Sequence, residues 1–142
     1  MPRTSWRRLD AGKALERIVT ALAATPAGTG SRVSIPAVFT EADTAAIRLL
    51  PPWVVRAALF KSRGTWWLYC EPRAGARAGT GQFVLNVPPG RYMIDLLDTR
   101  APAWYSRESA AAPPLVAGLP GTGAPVLARI RLVASSASRP PE

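Results

Sequence analysis

Acid–base chemistry needs two ionisable groups held at a fixed separation, and this chain offers few such pairs. Asp95 and Asp98 stand three residues apart, with Glu71 and Glu108 as further acidic candidates. Asp95 falls within a segment of strand periodicity and Asp98 just past it, so the spacing does not set the separation that a glycosidase pair requires. Asp98-Thr99 reads instead as a turn closed by Asx hydrogen bonding. Histidine is absent, which removes Ser-His-Asp and Cys-His catalysis and every histidine-containing metal site. Cys70 is alone, so neither an intrachain disulfide nor a thiolate cluster can form, and the residue reads as a small buried hydrophobe. No catalytic residue, metal site or cofactor is expected.

Two other groups of residues invite a binding role. Gly75, Gly79 and Gly81, with Arg73 and Arg77 between and before them, have the look of a phosphate loop. The Gly-Lys-Ser/Thr ending is missing and no helix follows, so a strand connection is the better account. Gly-Thr-Gly recurs at Gly28, Gly79 and Gly121 and reads as a turn filler. The aromatic run Trp66-Trp67-Tyr69 is more informative. Adjacent strand residues point to opposite faces, so Trp66 and Trp67 cannot both enter one core. One must be covered by another part of the chain, sit at an interface, or present a flat ring on which a sugar or base could stack. Trp66, Trp67, Tyr69 and Trp104 are the candidate ligand-binding residues, and coverage by the N-terminal helix is the favoured fate of the second tryptophan.

The elements that must position these residues follow from composition and period. The chain has 142 residues, 48% of them hydrophobic, with fifteen prolines and eleven glycines, which suits short strands and tight turns better than a helical bundle. Its net charge of +9 comes from sixteen arginines and two lysines against nine acidic residues. Such a charge attracts polyanions, but the arginines run from Arg3 to Arg139 without forming a block, so a dispersed background is expected and nucleic acid is the lesser partner. No apolar run is long enough to span a membrane. Lys13, Glu16 and Arg17 interrupt any signal-peptide core after Arg7-Arg8, leaving a cytoplasmic location as the default.

Asp10–Thr25 reads as an amphipathic helix capped by Asp10, with Ala11, Ala14, Leu15, Ile18, Val19 and Leu22 on one face. Ala27–Ser31 reads as a linker and Arg32–Phe39 as an edge strand limited by Pro36. A second short helix is expected from Thr40 to about Leu50, ended by Pro51-Pro52. Strands are expected at Trp53–Phe60 and Thr65–Cys70, joined by the loop Lys61-Ser62-Arg63-Gly64. Phe83–Asp98 reads as two strands meeting in an antiparallel hairpin at a Pro88-Pro89-Gly90 type II turn, with Tyr92, Ile94 and Leu96 sharing a face. Further strands are expected at Trp104–Ser106, Leu115–Leu119 and Val126–Val133. The last should turn Val126, Ala128, Ile130 and Leu132 inward and Arg129 and Arg131 outward.

The order of these motifs resembles a known family. The aromatic strand Thr65–Tyr69, the Phe83-x-Leu85-x-Val87-Pro88-Pro89-Gly90-Arg91-Tyr92 segment, Ile94-Asp95-x-x-Asp98-Thr99, Pro114-Leu115, Gly118-Leu119-Pro120 and Pro125-Val126-x-Ala128-x-Ile130 are similar to the small β-sandwich that follows the (β/α)-barrel in some bacterial glycoside hydrolases, of the collagen-binding-domain type. The resemblance covers roughly residues 53–133. It implies an accessory domain, because in that family the barrel carries catalysis and needs about 200 residues or more. No family catalytic residue has a position here to be carried onto. The expected fold class is therefore α+β: an antiparallel β-sandwich over residues 53–134, preceded by a helical segment and linker over 1–52 holding one or two helices, and followed by a disordered tail over 135–142. The expected function is a non-catalytic accessory or binding domain contacting carbohydrate or a protein partner, with polyanion binding as the alternative.

Overall fold

A computed structural model describes residues 6–24, 39–75, 77–100 and 103–135 of the chain. In chain order the elements are β1 (Arg7–Arg8), α1 (Ala11–Ala24), β2 (Thr40–Glu41), β3 (Ile47–Leu49), β4 (Val54–Ser62), β5 (Thr65–Pro72), β6 (Ala78–Gly79), β7 (Gln82–Leu85), β8 (Gly90–Asp98), β9 (Ala103–Ala112), β10 (Leu115–Gly118), β11 (Gly121–Thr122) and β12 (Val126–Ser135). The expected linker at 27–31, most of the edge strand at 32–39 and the tail beyond Ser135 lie outside the described residues.

The helix forms where the apolar spacing placed it. Asp10 caps it by accepting from the Lys13 amide at 3.1 Å, which satisfies one of the donors left free in a first turn. Ala14, Ile18, Ala21 and Leu22 are buried, while Val19 turns outward and is 37% exposed. The second expected helix does not form. Thr40–Glu41 pairs with β4, and Ile47–Leu49 pairs with β7. Only a single 3₁₀ turn, Thr44–Ala46, lies between them, capped by Asp43 rather than Thr40 through the Ala45 amide at 2.9 Å. So short a helix gains little stability by itself, and edge pairing with burial of Ile47 and Leu50 outweighs its caps.

Seven strands make one large sheet, ordered β1-β4-β5-β12-β8-β9, with β2 also on the outer edge of β4. A small sheet has the order β10-β7-β3, and β11 pairs with β6 as a two-stranded ribbon. The protein is thus mainly β, with a single helix among the described residues. Segments before Pro52 contribute strands to both the large and the small sheet.

The Pro88-Pro89-Gly90 segment is where expectation and structure part most clearly. It does not close a hairpin. β7 belongs to the small sheet and β8 to the large one, so the chain here crosses from one sheet to the other. The Tyr92 hydroxyl donates to the Pro88 carbonyl at 2.8 Å, tying the start of β8 back to the crossover. Alternation along each strand was legible, but two strands with apolar faces can meet face to face as well as edge to edge, and here they face. Phe83 and Leu85 pack with Tyr92, Ile94 and Leu96 in one core.

The β4–β5 hairpin is tighter than expected, since Ser62 pairs with Thr65 and only Arg63-Gly64 turn, Arg63 taking a φ of 55°. Gly79 and Gly121 are not turn fillers: they pair directly in the β6–β11 ribbon. A Cβ on Gly121 would stand 2.9 Å from the Trp53 ring, so the bare backbone is what lets the indole lie against it. That indole donates to the Leu119 carbonyl at 3.1 Å.

The large sheet is covered on both faces. Against one, the small sheet buries Ala57, Leu59, Leu68, Ile94, Leu96, Ala128 and Ile130 together with Phe83, Leu85 and Leu115. Against the other, α1 buries Phe60, Trp67, Tyr69, Leu97 and Leu127 beneath Ala14, Ile18 and Leu22. Cys70 belongs to the first core, fully buried, and burial pushes its thiol well above the ordinary range.

Candidate functional site

Polar chemistry gathers on the helix-bearing face of the large sheet, beside the area that α1 covers. In β8 the apolar residues Tyr92, Ile94 and Leu96 point to the small sheet, so Arg91, Met93, Asp95 and Leu97 point to the opposite side. In β12 the same alternation buries Val126, Ala128 and Ile130 on the small-sheet side and sends Leu127, Arg129 and Arg131 across. Strand register then lines up two rows. Ala58, Tyr69, Leu127, Leu97 and Trp104 make an apolar row, and Phe60, Trp67, Arg129, Asp95 and Arg107 make the next. A register shift between Leu96 and Leu97 puts Trp104 rather than Tyr105 opposite Leu97.

Asp95 is the centre of the second row and the one buried charged residue among those described, at 2% exposure. Its Oδ1 accepts from Arg107 Nε at 2.6 Å, and its Oδ2 accepts from Arg129 Nη2 at 3.0 Å and Arg131 Nη2 at 3.2 Å. Burial alone would raise its pKa, but the hydrogen bonds from Arg107 and Arg129 and their charges outweigh burial and hold the carboxyl below its ordinary value. For Arg129 the environment works against the charged form. Burial lowers the Arg129 pKa, Asp95 opposes that, and the like charges of Arg131 and Arg107 add to the lowering. One carboxylate therefore holds three guanidiniums that would otherwise repel.

The cluster has more donors than the protein satisfies. Each guanidinium carries five N–H donors, and the side chains of Arg129, Arg131 and Arg107 are 17%, 40% and 64% exposed. Arg129 Nε, Arg131 Nε and the indole nitrogen of Trp67 are buried without an acceptor. The Arg129 guanidinium lies 4.3 Å from the Trp104 ring centroid, a cation–π contact that fixes its plane. On the same face, Arg91 donates to the Ser109 hydroxyl at 3.3 Å.

The four aromatic residues singled out from the sequence do not come together as one platform. Trp67 and Tyr69 are buried in the core that α1 covers, each 2% exposed, and Phe39 meets the Trp67 indole edge-on with ring centroids 5.6 Å apart. Trp66 points to the other side of the sheet, partly buried against the small-sheet core, with Lys61 Nζ 5.1 Å from its ring. Trp104 is partly buried beside Arg129. A separate cleft of about 380 Å³ runs between α1 and the sheet, lined in part by Glu16, Arg17, Thr20, Tyr69 and Thr99. Three of its polar groups are engaged: the Thr99 hydroxyl donates to the Pro125 carbonyl at 2.8 Å, while Glu71 pairs with Arg17 and accepts from the Tyr69 hydroxyl at 3.0 Å. Burial, the Glu71 charge and that hydrogen bond push the Tyr69 phenol well above its ordinary value.

The sequence reading missed the arginine cluster because it treated Arg129 and Arg131 as solvent-facing and the arginines as dispersed. The available signal was Asp95, a charge set between Ile94 and Leu96-Leu97 in an apolar strand. A carboxylate so placed needs cations close by. Of the other acidic candidates, Asp98 accepts from the Arg100 amide at 2.9 Å, the Asx turn expected of it, Glu108 accepts from the Gly118 amide at 3.1 Å, and Glu71 is held by Arg17 and Tyr69.

No family model matches the chain, and a search of the curated proteins finds none similar to it. Among the described residues no helix is long and apolar enough to cross a membrane, and no group of three or more acidic or cysteine side chains is placed to hold a metal ion.

Proposed function

We propose that the chain is a non-catalytic binding domain: an accessory β-sandwich of the kind appended to glycoside hydrolases, which contacts a carbohydrate or a protein partner without transforming it. The observation that supports this most directly is the commitment of Asp95 to three arginines. A carboxylate held charged below its ordinary pKa is a poor general acid at neutral pH. What it organises is an array of hydrogen-bond donors beside an aromatic ring, which is equipment for recognition. Trp66 with Lys61 is a second ring-and-cation pair, on the opposite face.

The polyanion reading gains from the same cluster, since the arginines converge rather than spread evenly. The two readings part on ligand class. Titrating the protein with neutral polysaccharides, acidic polysaccharides and nucleic acid, while following the polymer's chain length, tests the proposal. Saturable binding with no shortening of the polymer is the expected result. Cleavage of a polysaccharide, or failure to bind any polymer or protein partner, would overturn it.

A further inference from the structure

We infer that the helix-side arginines of β8, β9 and β12 form an oxyanion site whose ligand is an acidic polysaccharide, one bearing sulfate or carboxylate groups. This deepens the binding-domain reading and rests on it for the polymeric source of the anion.

Arg107 uses Nε for Asp95, which leaves the exposed end of a side chain 64% open to solvent for a ligand. Arg131 likewise reaches Asp95 through one Nη while 40% of its side chain is exposed. Arg129 is a positioning residue: mostly covered, braced by Asp95 and Trp104, it holds the other two guanidiniums in place by sharing their carboxylate. Three arginines against one carboxylate leave a local charge of +2, and buried Nε donors of Arg129 and Arg131 lack any protein acceptor. A planar guanidinium fork matches the oxygens of carboxylate and sulfate alike.

The length of the array argues for a polymer. Arg91 lies four residues before Asp95 on the same face of β8, and its guanidinium reaches Ser109, which stands opposite Met93. At about 3.4 Å per residue the positive stripe therefore runs roughly 7 Å or more along the strand from the Asp95 row. That is longer than a single oxyanion. Nucleic acid fits less well. Modules that bind single strands add open ring faces for base stacking, and the rings on this side are taken: Trp67 is buried and Trp104 lies beneath Arg129.

The test is a calorimetric titration at physiological salt with dextran sulfate, polygalacturonate, neutral dextran, inorganic sulfate and single-stranded DNA. It is run on the wild-type chain and on Arg107→Ala, Arg91→Ala and Arg48→Ala, with circular dichroism to check folding. Arg48 is an exposed arginine on the small sheet, so its loss removes the same charge elsewhere. Tight binding of the acidic polysaccharides alone is expected, weakened about tenfold or more by Arg107→Ala, clearly by Arg91→Ala, and less than about twofold by Arg48→Ala. Equal losses in all three variants, or tighter binding of DNA than of either acidic polysaccharide, would overturn the inference. Binding of neutral dextran without binding of the acidic polymers would overturn it while leaving the binding-domain reading standing. Binding of inorganic sulfate that depends on Arg107, with no polymer bound, would keep the oxyanion site and remove the polymeric ligand.

Discussion

Ile94 and Asp95 are neighbours in β8, both almost fully buried, and they serve opposite faces of one sheet. The Ile94 side is closed: the small sheet lies across it, and the core between the two is hydrocarbon and ring from edge to edge. The Asp95 side is divided. Its upper row is apolar and lies under α1, while the next row passes from Phe60 and Trp67 into Arg129, Asp95 and Arg107. The difference shows that burial in this sheet serves two ends. On the closed face it excludes water from apolar groups, the dominant favourable term in folding. On the divided face it strengthens electrostatics by lowering the local dielectric, so that one carboxylate can hold three like charges at hydrogen-bond distance.

The contrast can be broken by substitution at three positions. Ile94→Ala should be the most damaging, costing about 2–5 kcal/mol by transfer and cavity terms. Denaturant unfolding measures it, and the loss should be nearly independent of pH. A loss under about 0.5 kcal/mol would remove Ile94 from the core.

Asp95→Asn should cost somewhat less, about 2–3 kcal/mol at neutral pH, because it removes the countercharge of three guanidiniums and one of the two oxygens that accept from them, while water can still reach two of them. Its signature is pH. The folded pKa of Asp95 lies below its ordinary value of 3.8. Its contribution is therefore full above that value, declines as the pH falls below it, and is gone below the folded pKa. The gap in stability between wild type and Asp95→Asn should close in acid, whereas the Ile94→Ala gap should not. Parallel behaviour of the two variants across that range would mean that Asp95 does not stabilise through its charge.

Arg107→Ala should cost least, within about 1 kcal/mol, since its side chain is mostly exposed and an exposed ion pair contributes little. A thermal melt close to wild type, combined with loss of ligand, would separate binding from folding on the divided face.

Much of this was legible from alternation alone. The burial of Phe83, Leu85, Tyr92, Ile94, Leu96, Val126, Ala128 and Ile130 follows from period two, as does the opposition of Trp66 and Trp67. Alternation reports which face a side chain takes, not which strand lies beside it. That is why Pro88-Pro89-Gly90 read as a hairpin when it is a crossover between sheets, and why Thr40–Leu50 read as a helix when it supplies edge strands. The arginine cluster was hidden for the same reason. Arg107 meets Asp95 across the β8–β9 pair, but Arg129 and Arg131 are more than thirty residues away in sequence and become neighbours only once β12 is placed between β5 and β8. Leu132 keeps the expected register opposite Tyr92, but it lies beside the β4–β5 turn and is 37% exposed, so the face was legible and its burial was not.

The central claim is that the divided face binds its ligand through the arginines around Asp95. Nitrogen-detected NMR of arginine side chains during a dextran sulfate titration at physiological salt tests it most directly. The account predicts saturating shifts at Arg107, Arg131 and Arg91, a smaller one at Arg129, and none at Arg48 or Arg63. Uniform small shifts over all the surface arginines, or a response confined to the Trp66 indole, would contradict it.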